Sequence, residues 1–256
     1  LPHERAAAVE WGHLPEGAHP MSDPPATAFS RHFQAELQQL KERLLLLAGF
    51  AEERLNLAIQ GLVERDRALV EQVIAGDEPL NRLHIEIDDR CFKLLALQQP
   101  MATDLRTIVA GIKINTDLER VGDLAVNIAE AARRYLQHPP VKKLIDIPRM
   151  AGIAQRMLSS ALDAYVRRDV ALAQSVLAED DLLDDLKTQV FRELLTYMLQ
   201  DAATIEPSLD LILVSRHLER VGDHATNIAE DVIFMVSARD VRHLPPDARG
   251  GAPAAG

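Results

Sequence analysis

The stretch DLERVGDLAVNIAE, residues 117–130, returns as HLERVGDHATNIAE at residues 217–230, and the two agree at 11 of 14 positions. A segment used twice, 100 residues apart, means that the chain is built from two copies of one unit, and any fold proposed for it must be doubled. The surrounding pattern is helical. In the first half Leu37, Leu40, Leu44, Leu47, Ala51, Leu55, Ala58 and Leu62 recur at three- and four-residue spacing, the signature of one buried helical stripe. No alternating strand pattern competes with it. Aromatic residues make up only 4% of the chain while Leu and Ala dominate, which also favours helix over strand.

Each copy reads as a long helix, a short helix, a second helix and a final long helix. The first copy has helices over 30–61, 66–74, 80–97 and 103–137, with AGDEP (75–79) as a turn, Pro100 as a stop, Thr103 or Asp104 as a cap, and Pro139–Pro140 as the end. The second has helices from 147 to 167, from 169 to 177, from 182 to 199 and on to 239, with AEDD (178–181) as the turn matching AGDE. A long helix with a single apolar stripe needs two neighbours to cover it, so each copy is most simply a three-helix bundle. The expected architecture is all-α, with two tandem, pseudo-symmetric three-helix bundles over 29–138 and 147–240. Residues 1–28 and 241–256 are expected to be disordered, with Met21 a candidate start.

Several function classes fall away on bulk properties. The formal charge of −11 repels phosphate backbones, so a nucleic-acid partner is not expected. The single Cys91 excludes an internal disulfide framework and suits a reducing compartment, its thiol serving as a small buried hydrophobe. No run of 18 apolar residues is present, so no membrane span is expected. No glycine-rich phosphate loop is found either.

On a helical wheel Glu119, Asp123, Asn127 and Glu130 form one stripe, with Ile114, Leu118, Val121, Ala125 and Ile128 roughly opposite. Glu219, Asp223, Asn227 and Glu230 repeat it. Like charges at i,i+4 cost about 0.2–0.5 kcal/mol per pair, and a mid-helix glycine such as Gly122 or Gly222 costs about 1 kcal/mol against Ala. Both copies keep both costs. A cation held between carboxylates one turn apart offsets the first, and close approach of a neighbouring helix or a ligand accounts for the second. A solvated acidic face with Arg120 and Arg220 as counter-charges is the plainer account. A second helix must supply further ligands. In the first half Asp77, Asn81, His84 and Asp88 share a face. In the second, Asp180 and Asp184 stand in the places of Asp77 and Asn81, while Lys187 and Phe191 replace His84 and Asp88. Oxygen-rich ligation suits Mg²⁺, Mn²⁺ or Ca²⁺, and His84 draws zinc or iron to the first half. Lys187 is expected to weaken the second.

The doubled motif, with LALQQPMATDLRTI (95–108) and LLTYMLQD (194–201) beside it, resembles the PhoU family of bacterial phosphate-signalling regulators over about 29–243. The resemblance implies two similar three-helix bundles side by side and no catalytic reaction. It implies metal binding at E(D)xxxD motifs, with iron, zinc, manganese or magnesium as the ion. The matching residues are Glu119, Asp123, Glu219 and Asp223, and Asp88, His84, Asp184 and Asp180 are expected to complete the two shells. It further implies a negative regulator of phosphate uptake and of the phosphate-starvation response, placed between the ATPase subunit of the phosphate ABC transporter and a sensor histidine kinase. Such a protein is cytoplasmic, reaches the inner membrane through protein partners, and is expected to be a homodimer. Three other readings differ in what they need. A ferritin-like di-iron protein needs Glu-x-x-His pairs in a bundle core, and none is present. A phosphoacceptor at His217 finds Asp117 in the first copy and no ATP-binding domain after it. A metal-free helical scaffold is separated only by metal analysis.

Overall fold

The computed structural model describes residues 26–76, 78–98 and 100–241. Seven α-helices carry it: α1 (Ala26–Glu64), α2 (Arg67–Ala75), α3 (Glu78–Gln98), α4 (Ala102–Tyr135), α5 (Asp146–Arg167), α6 (Val170–Gln200) and α7 (Ile205–Ser237). A single 3-10 turn, Ala202–Thr204, precedes α7. All regular structure among the described residues is helical. No helix among them is long and apolar enough to cross a membrane. The ends expected to be disordered fall, but for residues 26–28 and 241, outside the described residues; α1 already begins at Ala26.

The apolar stripe of α1 is the core it was expected to be. Leu37 is 4% exposed, and Leu40, Leu44, Leu47, Ala51, Leu55, Ala58 and Leu62 are fully covered. Each leucine so buried contributes about 1.5–3 kcal/mol relative to exposure. The helix stops where Arg65 turns left-handed, at φ 58°. Asp66 then caps α2, its carboxylate accepting from the Ala68 and Leu69 amides at 2.8 and 3.4 Å. Asp169 does the same for α6, accepting from the Leu172 amide at 3.0 Å.

Two local expectations give way. The AEDD segment at 178–181 is no turn, because α6 runs unbroken from Val170 to Gln200. In the first half Gly76 ends α2 and Pro79 lies in the opening turn of α3. The second half has neither residue there, so nothing interrupts the backbone ladder and Ala173, Val176, Leu183 and Leu186 continue the buried stripe. At the start of α4 the cap position is Met101 in extended backbone, without a side-chain bond, and Thr103 and Asp104 lie inside the helix. Pro100 cannot continue a preceding helix, and α4 opens two residues beyond it, at Ala102.

Helices α1, α3 and α4 form one bundle, and α5, α6 and α7 form the other. The bundles join chiefly along α4 and α7, with a smaller contact of α1 with α5. The polar pairs on the α4–α7 seam run in opposite residue order. Lys113 Nζ donates to Asp231 Oδ1 at 2.7 Å, His224 Nδ1 lies 2.8 Å from Asp117 Oδ1, and Arg134 Nε donates to Asp210 Oδ1 at 2.8 Å. The two helices are therefore antiparallel, the arrangement that a pseudo-two-fold axis perpendicular to them produces.

Candidate functional site

The repeated glycines position the site. A Cβ on Gly122 would fall 2.6 Å from Leu80 Cδ1, and one on Gly222 would fall 2.5 Å from Leu183 Cδ2. Both leucines are at most 2% exposed. Gly122 thus lets α3 approach α4, and Gly222 lets α6 approach α7, each through one leucine. The apolar residues of the motif lie in the core as expected: Leu118, Val121, Ala125 and Ile128 are fully buried, and so are Leu218, Val221, Ala225 and Ile228. The acidic stripe is less remote from the core than the wheel placed it. Glu119 and Glu219 are only 23% and 22% exposed at their side chains, because α3 and α6 lie alongside.

In the first half Arg120 reaches both motif carboxylates, with Nε 3.6 Å from Glu119 Oε2 and Nη1 3.3 Å from Asp123 Oδ2. Its side chain is 56% exposed, so this grip is worth no more than about 1 kcal/mol. From α3, His84 Nε2 lies 3.6 Å from Asp88 Oδ2. The fully buried Asn115 holds that helix: its Nδ2 donates to the His84 carbonyl at 3.0 Å and to Asp88 Oδ1 at 2.9 Å. Two buried polar atoms here have no partner, Asn115 Oδ1 and His84 Nδ1. An orphaned buried acceptor is costly and calls for a ligand or a water. Sequence reasoning passed over Asn115, although its place four residues before Glu119, on the same stripe, was the available signal. Asp77 lies outside the described residues.

The second half is organised around an ammonium. Lys187 Nζ donates to Asp184 Oδ1 at 2.6 Å and to Glu219 Oε1 at 2.8 Å. Those two bonds hold its pKa above the ordinary lysine value. Asp180 and Asp223 are left facing other carboxylates. Burial, then the charges of Asp223, Asp184, Asp181 and Glu219, pushes Asp180 up to about 6. Asp223 is raised by burial, then by Glu219 and Asp184. Phe191, the counterpart of Asp88, is exposed.

The donor sets of the two halves therefore fit an ion unequally. The first offers Asp88, Glu119, Asp123, the His84 imidazole and the orphaned Asn115 oxygen, with only an exposed arginine to displace. The second offers four carboxylates with a lysine already bonded to two of them. Among the described residues no three His, Cys, Asp or Glu side chains converge as they stand. Glu119 and Asp123 in the first half and Asp184 and Glu219 in the second turn toward the protein's own cations, so an ion enters only with side-chain rotation.

The geometry has close relatives. The model of the PhoU domain matches the chain twice, over residues 44–132 and 147–232. A Pseudomonas aeruginosa protein named phosphate-specific transport system accessory protein PhoU homolog is 38% identical over 216 residues, covering 84% of this chain and 89% of the relative. The Caulobacter vibrioides protein of the same name is 40% identical over 217 residues, covering 84% and 94%. Among solved structures, PhoU from Pseudomonas aeruginosa aligns with a TM-score of 0.77 at 38% identity, over 81% of this chain and all of that one. The phosphate transport system regulatory protein PhoU from Streptococcus pneumoniae aligns at 0.75 with 27% identity, over 82% and 99%. With both halves matched by one domain and relatives this similar along most of its length, the chain belongs to the PhoU family.

Proposed function

We propose that this protein is a negative regulator of phosphate uptake and of the phosphate-starvation response, acting as a metal-binding adaptor between the ATPase subunit of a phosphate transporter and a sensor histidine kinase. The observation that carries this reading is the motif shared by both halves, set on paired helices in a chain whose relatives are named as accessory proteins of phosphate-specific transport. The protein works as a regulator and not as an enzyme. It acts at the cytoplasmic face of the inner membrane, recruited through its partners, and as a homodimer.

In the first half Glu119, Asp123, Asp88 and His84 would hold the ion. Magnesium or manganese suits the oxygens, and zinc or iron suits the set once His84 joins. Glu219, Asp223, Asp180 and Asp184 are the weaker set, with Lys187 in competition. The bound ion supplies charge neutralisation between adjacent helices. The chain's own part is to keep those helices in register through Gly122 and Gly222. A metal-free scaffold is the second reading, favoured by the pairing of Arg120 and Lys187 with the motif carboxylates.

Deleting the gene in its native host should raise phosphate-starvation reporters in phosphate-rich medium, and the wild-type gene should restore repression. Unchanged expression after deletion refutes the regulatory reading. Failure of the purified protein to bind Mn²⁺, Zn²⁺ or iron, with repression intact, leaves the scaffold reading in its place.

A further inference from the structure

The two halves come into register at one contact. Leu80 lies over Gly122 as Leu183 lies over Gly222. Carried along α3 and α6, that register sets Asn81 against Asp184 and His84 against Lys187. At these positions the second half therefore gains a carboxylate and an ammonium, which are bonded to each other, and loses the Asp88 carboxylate to Phe191. The ammonium also crosses to the other helix. Asp184 lies on α6 and Glu219 on α7, and Lys187 Nζ is 2.6 and 2.8 Å from their oxygens. At 29% exposure it is more sheltered than Arg120, and it bridges carboxylates from two helices, which is the place a metal would take.

We propose that the ammonium of Lys187 is the resident cation of the second half, so that this half joins α6 to α7 without a metal and binds one only when the lysine charge is removed. This rests on the reading that the acidic stripe is a metal-binding design, but it concerns the other half of the molecule and is tested separately. Glu219 and Asp184 use oxygens on the ammonium that an ion would need, and a fixed positive charge repels a divalent ion at contact distance. Asp180 and Asp223 remain, too few for the six or more oxygens that Mg²⁺ or Mn²⁺ collects unless water supplies the rest.

The test is Mn²⁺ titration of the full-length protein, counting bound equivalents at neutral pH. Lys187→Gln should gain one equivalent over wild type, with at least a tenfold rise in affinity at that site. Lys187→Arg, which keeps the charge, should gain none. The gained equivalent should vanish in Lys187→Gln combined with Glu219→Ala and Asp223→Ala. In a background with Lys187 intact, Glu219→Ala with Asp223→Ala should leave the bound Mn²⁺ unchanged. The proposal is overturned if wild type already carries an equivalent that this pair removes, or if Lys187→Gln gains nothing while its circular dichroism matches wild type. Loss of the first-half site alone would instead be a missing equivalent in wild type alongside a gain in Lys187→Gln. That outcome upholds the present proposal and removes first-half metal binding from the functional reading.

Discussion

Replacing Gly222 by Ala should destabilise the protein, although the same change in an open helix stabilises it. The added Cβ meets Leu183 Cδ2 at 2.5 Å, closer than carbon atoms approach. Leu183 has no exposed surface into which to retreat. Overpacking of this kind costs about 1–3 kcal/mol, and the gain in helix propensity returns about 1 kcal/mol. A net loss of about 1 kcal/mol is expected, a fall in Tm of about 2–4 °C for a chain of this length. Gly49 is the internal control. It lies within α1, and a Cβ added there would meet nothing within 4 Å, so Gly49→Ala should stabilise by up to about 1 kcal/mol. Thermal and urea unfolding of both variants, followed by far-ultraviolet circular dichroism, gives the two signs. The double variant Gly222→Ala/Leu183→Ala closes the argument: Leu183→Ala alone should cost about 2–5 kcal/mol, and adding Gly222→Ala to it should cost nothing further. If Gly222→Ala stabilises the protein as Gly49→Ala does, the glycine is not there for helix approach.

Glu119→Ala with Asp123→Ala should abolish the first-half Mn²⁺ site while shifting metal-free stability by less than about 0.5 kcal/mol, since the lost contacts with Arg120 are surface pairs and the lost i,i+4 repulsion works the other way; identical isotherms for variant and wild type remove both residues from the ligand set. Asp180 titrates at about 6 in the folded protein against an ordinary 3.8, so between about pH 4 and 6 the folded chain keeps a proton that the unfolded chain has lost. The contribution of Asp180 to stability therefore falls as pH rises through that window and levels off above it. Asp180→Asn should flatten the fall in urea midpoints measured from about pH 4 to 7, and an equal fall in both proteins counts against the crowding of acids around Asp180. On the seam between halves Asp210 is nearly buried, its side chain 6% exposed, while its partner Arg134 is 48% exposed. Arg134→Met, which strands that carboxylate, should cost about 3 kcal/mol and more than Asp210→Asn; urea unfolding with the reverse order refutes the assignment of the buried charge.

The core of the fold was legible because periodicity is a direct trace of burial. The stripe of α1 from Leu37 to Leu62 and the motif residues Leu118, Val121, Ala125 and Ile128 lie where three- and four-residue spacing puts them. The helix starts near Asp66 and Asp169 were legible as boundaries, and the structure adds that both carboxylates cap the helix that follows. The expected cap at Thr103 or Asp104 failed: Met101 takes the cap position of α4 with no side-chain bond. The false turn at 178–181 came from carrying AGDE onto AEDD by position. The break in the first half depends on Gly76 and Pro79, and the aligned residues Glu179 and Leu182 continue a helix. The acidic stripe was placed on the right helices, but its depth was not legible, since a wheel contains no neighbour. The pairs Lys113–Asp231, Asp117–His224 and Arg134–Asp210 were invisible for the same reason: each joins residues that no local pattern connects.

Duplication explains why the two acidic clusters share a scaffold, and the scaffold explains why they are free to differ. Leu80 with Gly122 and Leu183 with Gly222 fix the distance between paired helices in each half, and the buried apolar residues of α4 and α7 fix their rotation. Neither constraint reaches the rim where His84 and Asp88 meet α4 or where Lys187 meets α7. Substitutions there leave the bundle standing and change only the charge between the helices. With Asp88 lost to Phe191, the added lysine and aspartate leave the second rim one charge less negative, a small change in the long-range field of an acidic protein. Its local effect is large, because it sets a tethered cation where the other half leaves an imidazole and an orphaned amide oxygen. A tethered ammonium is present at any metal concentration, whereas a bound ion follows its supply by mass action. On the proposed reading one half would keep its helix pair clamped constantly, and the other would respond to the ion.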